Sequence, residues 1–395
     1  MVERKQYMDK LIKMQNEKII KVITGVRRCG KSTLLRMFQD RLKLNGVNDN
    51  QIISINFEDI AFEHLLEYHK LYNYVTGQLV NGKPAYIFLD EIQNVPEFQK
   101  AVDSLYLKEG VDIYMTGSNA YILSGDLATL LSGRYIEINM LPFSFAEYYE
   151  VKGGDKREAF TSYYQNGAFP QTAFIVDDEV RNDYIRAVYN SVFLKDIIAR
   201  KKINNVELLE SVLRFLFDNI GNIVSSNKIA DSLTSNGRKT TSITVENYVS
   251  ALMGAFILYK APRYNIKGKQ HLKSLEKYYV SDISLRHLVS GSLSRDIGRI
   301  LENIVYLELV RRGFSVYVGK IAEMEIDFVA INGSIKEYYQ VAASILDPAT
   351  FEREFSPLLK IRDHFPKYVI TMDDLPSGIE GVRQINIIDF LLATY

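Results

Sequence analysis

The sequence of 395 residues predicts an α/β protein. Three observations carry that prediction. From the N-terminus to about Met140, short apolar runs alternate with helical patterns, which builds a parallel sheet with helices on both faces. The run Ile19–Thr24 passes directly into Gly25-Val26-Arg27-Arg28-Cys29-Gly30-Lys31-Ser32-Thr33, which fits the phosphate-binding pattern G-x-x-x-x-G-K-[ST] at every fixed position. The run Tyr86–Leu89 ends in two adjacent carboxylates, Asp90 and Glu91.

Taken in order, the strands of the first segment are Ile19–Thr24, Ile52–Asn56, Tyr86–Asp90, Val111–Thr116 and Tyr135–Asn139, and Leu141-Pro142 ends the sheet. A strand, a glycine turn and a helix beginning near Leu34 make an anion site, because loop N–H groups and the positive end of the helix dipole point at the phosphates. Gly25 to Thr33 then cradle a nucleotide, with Lys31 on the β- and γ-phosphates and Ser32 on Mg²⁺. Asp90 is placed to hold the same ion through water, and Glu91 to polarise the attacking water as general base. Ser118 or Asn119, after the strand Val111–Thr116, either senses the γ-phosphate or caps a helix. Cys29 fills a variable loop position where the backbone matters more than the side chain.

Beyond the sheet, Ser144 to Lys202 reads mostly helical, broken at Gly167-Ala168-Phe169-Pro170 and resumed from Tyr184 to Lys202. From Asn205 to Lys277 three helical patterns follow: Leu208–Ile220, a short one started by Ser225, and one with the stripe Val245, Tyr248, Val249, Leu252, Met253, Phe256. A strand at Ile257–Lys260 and a loop at Ala261–Gln270 complete the order of a winged helix, which sets one helix in the DNA major groove and a wing beside it. Ser235 to Lys277 carries eight Lys/Arg against two acids. Arg238, Lys239, Arg263, Lys267 and Lys269 are the candidate DNA contacts, although winged helices also serve as protein-contact modules. In the last segment, Glu302 on a helix, Asp327 on one strand and Gln340 on the next follow the layout of restriction-type nucleases, where carboxylates bind Mg²⁺ and a lysine aids the attacking water. Gln340 replaces the third acid and Ala342 replaces the lysine, so the expectation is a nuclease-like fold that has lost full catalysis; the alternative is a structural αβ domain.

The order of phosphate loop, Asp-Glu strand, Thr116-Gly117-Ser118-Asn119 turn and Leu131–Tyr135 segment resembles the AAA+ ATPase superfamily. Leu89–Gln93, Leu141–Phe145, Tyr278–Asp282 and Leu301–Asn303 are similar to one prokaryotic family that joins an AAA-type ATPase domain to a C-terminal domain of unknown function. The resemblance implies a P-loop NTPase core at 1–142, a helical lid at 143–204, a winged-helix unit at 205–277 and a restriction-endonuclease-like αβ domain at 278–395. It implies ATP as the nucleotide, with Gly167–Pro170 near the adenine, and a ring of copies, often a hexamer. Arg134 then either reaches the neighbour's nucleotide as an arginine finger or makes a salt bridge within its own domain.

Composition bounds the rest. Lys+Arg and Asp+Glu are equal at 48 each, so no global charge demands a nucleic-acid partner. One cysteine excludes an internal disulfide framework, and the five histidines lack zinc-ligand spacing. A charged N-terminus and the lack of a membrane-length apolar run lead to the expectation of a cytoplasmic protein. The expected function is Mg²⁺-dependent ATP hydrolysis coupled to a partner, foremost DNA. An ATP-controlled nuclease and a nucleotide-switch scaffold for a protein partner are the alternatives.

Overall fold

The structure, a computed structural model, describes residues 2–123, 131–192, 197–198, 203–268, 270–291, 296–374 and 378–393. The chain forms two compact units: Met1–Met140 with Gly254–Phe256, and Leu141–Met253 with Ile257–Tyr395.

In the first unit, β1 (Ile20–Thr24), β2 (Ile52–Asn56), β3 (Ala85–Asp90), β4 (Val111–Gly117) and β5 (Tyr135–Asn139) form one parallel sheet in the order β2-β3-β4-β1-β5. Each expected strand is found within one residue at either end. The central strands β1, β3 and β4 are covered on both faces, which is why they read as mostly apolar runs, whereas β2 and β5 alternate or expose part of their length. Helices α3 (Tyr68–Gln78) and α4 (Phe98–Tyr106) supply Leu71, Val75, Val102 and Leu105 to a buried cluster with Ile53, Ile55, Ile87 and Leu89. On the other face α2 (Lys31–Leu44) sets Phe38 against Phe88 and Tyr114, with ring centroids 6.3 and 5.0 Å away. Lys21, mid-strand in β1 and fully buried, is neutralised by Asp112 of β4 at 2.5 Å. The other Asp112 oxygen accepts from Tyr114 and from the Asn16 N–H. The strand order makes β1 and β3 the two neighbours of β4, so the carboxyl ends of these three strands open side by side, where ligands of open α/β sheets bind.

The second unit starts with α5 (Phe145–Lys152), α6 (Lys156–Asn166), α7 (Asp178–Ser191), α8 (Val206–Asp218), α9 (Ser226–Ser235) and α10 (Ser242–Gly254). Ser144, Asp155, Asp177, Asn205 and Ser225 cap the first five of these, each accepting a backbone N–H in the first turn. The C-terminal part of the expected helix Tyr184–Lys202 lies largely outside the described residues. Then come β6 (Leu258–Asn265), β7 (Gln270–Val280), α11 (Ile283–Ser290), α12 (Ile297–Arg311), β8 (Ser315–Ile321), β9 (Met324–Asn332), β10 (Ile335–Val341), α13 (Pro348–Leu359), β11 (Lys367–Thr371), β12 (Gly378–Ile379), β13 (Val382–Asn386) and α14 (Ile387–Leu392). The strands make one eight-stranded mixed sheet, β12-β13-β11-β10-β9-β8-β6-β7. Within it β8, β9 and β10 form an antiparallel meander and β11 runs parallel to β10.

Two expectations are corrected here. The expected wing loop Ala261–Gln270 is strand as far as Asn265, because β6 pairs on one side with β7 and on the other with β8. The boundary expected at 277/278 falls inside β7, so the hairpin of the three-helix segment is an edge of the C-terminal sheet, and the stretches expected as lid, winged helix and nuclease-like domain share one compact unit.

Candidate active site

The loop after β1 is shaped by its backbone. Gly25 has φ +149°, and a Cβ there would lie 2.2 Å from the Met140 carbonyl oxygen, so glycine is required. Gly30, at φ 108°, caps α2, leaving the first N–H groups of that helix open to an anion. Cys29 is fully buried, its carbonyl accepts from the Arg4 guanidinium at 2.9 Å, and burial pushes its thiol pKa up, which keeps it protonated and inert. Arg27 pairs with Glu58.

Lys31 is folded back over its own loop. Its ammonium donates to the Gly25 and Val26 carbonyls at 3.1 and 3.4 Å and lies 3.5 Å from Glu91 Oε1. Asp90 is hydrogen-bonded to Ser32 and accepts from Thr116 Oγ1 at 2.5 Å. Burial raises the Asp90 pKa against those hydrogen bonds. Glu91 sits at φ 53°, which turns its carboxylate out of the strand line. Burial would raise its pKa, but Lys31, Gln93, Arg27 and Ser118 outweigh that and hold it below the ordinary value, so the group is an anion. The Thr116 hydroxyl that donates to Asp90 also accepts the Glu91 N–H at 2.8 Å, fixing both carboxylates from the next strand.

The geometry therefore brings Lys31, Ser32, Asp90, Glu91 and Ser118 together. Asn119 is fully buried after β4, and its carbonyl accepts the Ile122 N–H. Arg134 is bound within its own chain, to Asp103 of α4, with its guanidinium 5.4 Å above the Tyr106 ring. Thr116 and Gln93 are the residues that sequence reasoning left without a role. A threonine ending the strand beside an Asp-Glu pair is the signal for the first.

In the second unit Glu302, Asp327 and Gln340 also meet, at an open pocket of about 730 Å³ that Glu325, Arg353 and Glu354 help to line. Asp327 is mid-strand; its N–H donates to Gln340 Oε1 at 2.6 Å and its Oδ2 accepts the Val341 N–H at 2.9 Å. The Gln340 amide donates to Glu354 at 2.9 Å. The unexpected member is Lys277, from the edge strand β7. Its ammonium lies 2.8 Å from Glu302, 2.7 Å from Glu325 and 3.3 Å from Asp327. Burial alone would depress the ammonium pKa, but these three carboxylates outweigh it and push it up. Burial lifts Glu302 to about 7 against the pull of Lys277. A divalent cation does not fit this donor set: the ammonium stands between the two carboxylates that would ligate it, and the Gln340 oxygen is already taken by a backbone N–H.

Of the candidate DNA contacts, Arg238, Lys239 and Lys267 are exposed. Arg263 is half-buried on β6, whose neighbours are β7 and β8, and Lys269 lies outside the described residues. The break at Gly167 is closed by Asp282, which caps α11 and accepts the Ala168 N–H at 2.7 Å. Among the described residues no helix is long and apolar enough to cross a membrane.

Comparison with known proteins agrees with this geometry. A family described as "AAA domain" matches residues 17–149, and a "Domain of unknown function (DUF8612)" matches residues 157–296. An "Uncharacterized protein" of Haemophilus influenzae is 37% identical over 399 residues, covering 99% of each chain. "Uncharacterized protein MJ1544" of Methanocaldococcus jannaschii is 31% identical over 391 residues, covering 94% of this chain and 85% of its own. Among solved structures, the Walker-type ATPase PABY2304 of Pyrococcus abyssi is similar at 15% identity with a TM-score of 0.46, covering 73% of this chain and 96% of its own. The parallel sheet and its phosphate loop make this a P-loop nucleotide-binding protein of the AAA+ type. The chain belongs to the family that joins an AAA domain to a second domain of unknown function and shares it with the Haemophilus influenzae protein.

Proposed function

We propose that the protein hydrolyses ATP at the loop Gly25–Thr33 and uses the cycle to act on a partner, foremost DNA. The observation that supports hydrolysis over binding alone is the position of the Glu91 carboxylate, held by Gln93, fixed from the next strand beside the Ser32–Asp90 pair, and 3.5 Å from Lys31. On nucleotide binding, Lys31 leaves the loop carbonyls and Glu91 for the β- and γ-phosphates. Ser32 and Asp90, already bonded to each other, are the oxygens that would hold Mg²⁺, which neutralises charge on the phosphate oxygens when bound. Glu91 takes the proton of the attacking water, and Ser118, hydrogen-bonded to the same carboxylate, is the candidate γ-phosphate sensor.

DNA as partner is supported by the exposed Arg238, Lys239 and Lys267 on a three-helix and hairpin segment. The ring implied by the AAA+ class needs Arg134 released from Asp103, an ion pair exposed enough to be worth little. For the second unit, Lys277 among the carboxylates supports a nuclease-like remnant without cleavage. The test is ATP turnover by the full chain with and without single- and double-stranded DNA, with Lys31→Met and Glu91→Gln as blanks. Turnover that rises with DNA and vanishes in both blanks is expected. A rate indifferent to DNA would move the partner to a protein, and no rate above the blanks would leave a nucleotide switch.

A further inference from the structure

Glu91 is held by Lys31, by hydrogen bonds from Gln93 and Ser118, and through charge alone by Arg27, whose guanidinium is paired with Glu58; nucleotide binding must remove the first. Lys31, 3.5 Å away, is needed by the phosphates. What remains is Gln93, whose Nε2 donates to Glu91 Oε2, and Ser118, whose Oγ lies 3.5 Å from the same Nε2. Gln93 occupies the short turn Ile92–Asn94, which Glu91 caps in a left-handed conformation and which the Asn94 N–H closes on the Glu91 carbonyl at 3.1 Å. That turn folds the amide of one residue back onto the carboxylate of the other. Turning the amide over would set its oxygen against an anion, so its direction is fixed. The arrangement leaves a buried acceptor unpaired: Gln93 Oε1 has no hydrogen-bond partner among the described residues. An unpaired buried acceptor is costly, so its presence in this site calls for a cause. The amide also needs the space beside Gly117, where a Cβ would lie 2.9 Å from that oxygen.

We propose that Gln93 is a positioning residue for hydrolysis: once Lys31 has moved to the phosphates, the Gln93 amide holds the Glu91 carboxylate in place above the γ-phosphate. The proposal rests on the ATPase reading above. Without this donor the carboxylate follows the Lys31 ammonium or turns away, and the base is lost from most bound complexes while nucleotide affinity is kept.

The test measures kcat, KM and the pH profile of ATP turnover in the full chain for the wild type, Gln93→Met and Gln93→Glu. Both variants keep the side-chain length, and Gln93→Glu keeps the polarity should the apolar variant not fold. Each is expected to lower kcat by about tenfold or more with KM changed less than about threefold. A hydrogen bond to the charged form lowers the pKa of Glu91, so its loss moves the acid limb of kcat/KM up by about one pH unit in Gln93→Met, and further in Gln93→Glu. Unchanged kcat and acid limb in both variants, with or without a lower melting temperature, would overturn the proposal and leave the ATPase reading intact. Wild-type turnover no greater than that of Glu91→Gln would overturn both.

Discussion

At the scale of single residues, two polar side chains do structural tasks that their positions alone do not advertise. Thr116 fixes Asp90 through its proton and Glu91 through its lone pair, so one hydroxyl aligns the metal-holding and the basic carboxylate. Asp282 does the comparable task in the second unit, tying the Gly167–Phe169 turn to the start of α11; a Cβ on Gly167 would lie 2.2 Å from Asp282 Oδ1. Burial raises the Asp282 pKa to about 6 in spite of the N–H and O–H groups that lower it. The folded chain thus binds this proton more tightly than the unfolded chain, whose Asp titrates near 3.9. The stability this provides is complete below about pH 4 and is lost as pH rises through about 6. The advantage of the wild type over Asp282→Asn in unfolding free energy should therefore shrink by about 2 kcal/mol between pH 4 and pH 7. Denaturant titrations at several pH values measure it, and a difference independent of pH would show that Asp282 stays ionised.

At the scale of elements, β7 ties the three-helix segment to the C-terminal sheet. It pairs with β6 and delivers Lys277 to carboxylates 25 and 50 residues further along the chain. The first sheet was legible because its central strands β1, β3 and β4 are buried, mostly apolar runs and because the phosphate loop and the Asp-Glu pair mark two strand ends. Glu302, Asp327 and Gln340 were legible from their spacing on a helix and two strands. Lys277 was not, since a lysine in a basic hairpin reads as solvated, and only tertiary pairing reveals that it stands among Glu302, Glu325 and Asp327. The strand length of β6 was hidden for the same reason: its partner β8 lies far along the sequence. Lys277→Met would strand three carboxylates around a buried position and is expected to destabilise the second unit by about 3–5 kcal/mol. The same variant, without its built-in counter-ion, should gain stability from millimolar Mg²⁺ or Mn²⁺, whereas the nucleotide-free wild type should not. Thermal unfolding with and without the ion measures both, and equal stabilisation of the two proteins would mean that Lys277 does not stand in for a cation.

At the scale of the whole molecule, the decisive question is whether one chain makes a complete site. Everything between the Lys31 ammonium and the Glu91 carboxylate comes from a single sheet, and Arg134 has Asp103 and Tyr106 of its own chain as partners. The Arg134 side chain is 37% exposed and that of Asp103 27%, so screening by water limits the pair to within about 1 kcal/mol. Such a pair neither demands nor forbids release toward a neighbour. The geometry at hand argues for the intrachain role, because the cation–π contact with Tyr106 adds a second hold on the same guanidinium. Arg134→Ala is therefore expected to keep turnover per chain within about twofold of the wild type and to leave its dependence on protein concentration unchanged, as free-energy changes below 1 kcal/mol allow. A finger acting between copies gives the opposite pattern. Turnover would fall by about a thousandfold or more, and mixing Arg134→Ala with Lys31→Met chains would restore part of it, since a Lys31→Met chain would lend its Arg134 to the intact phosphate loop of an Arg134→Ala neighbour. The mixing experiment separates the two without any knowledge of ring size, because only a site shared between copies can be complemented in this way.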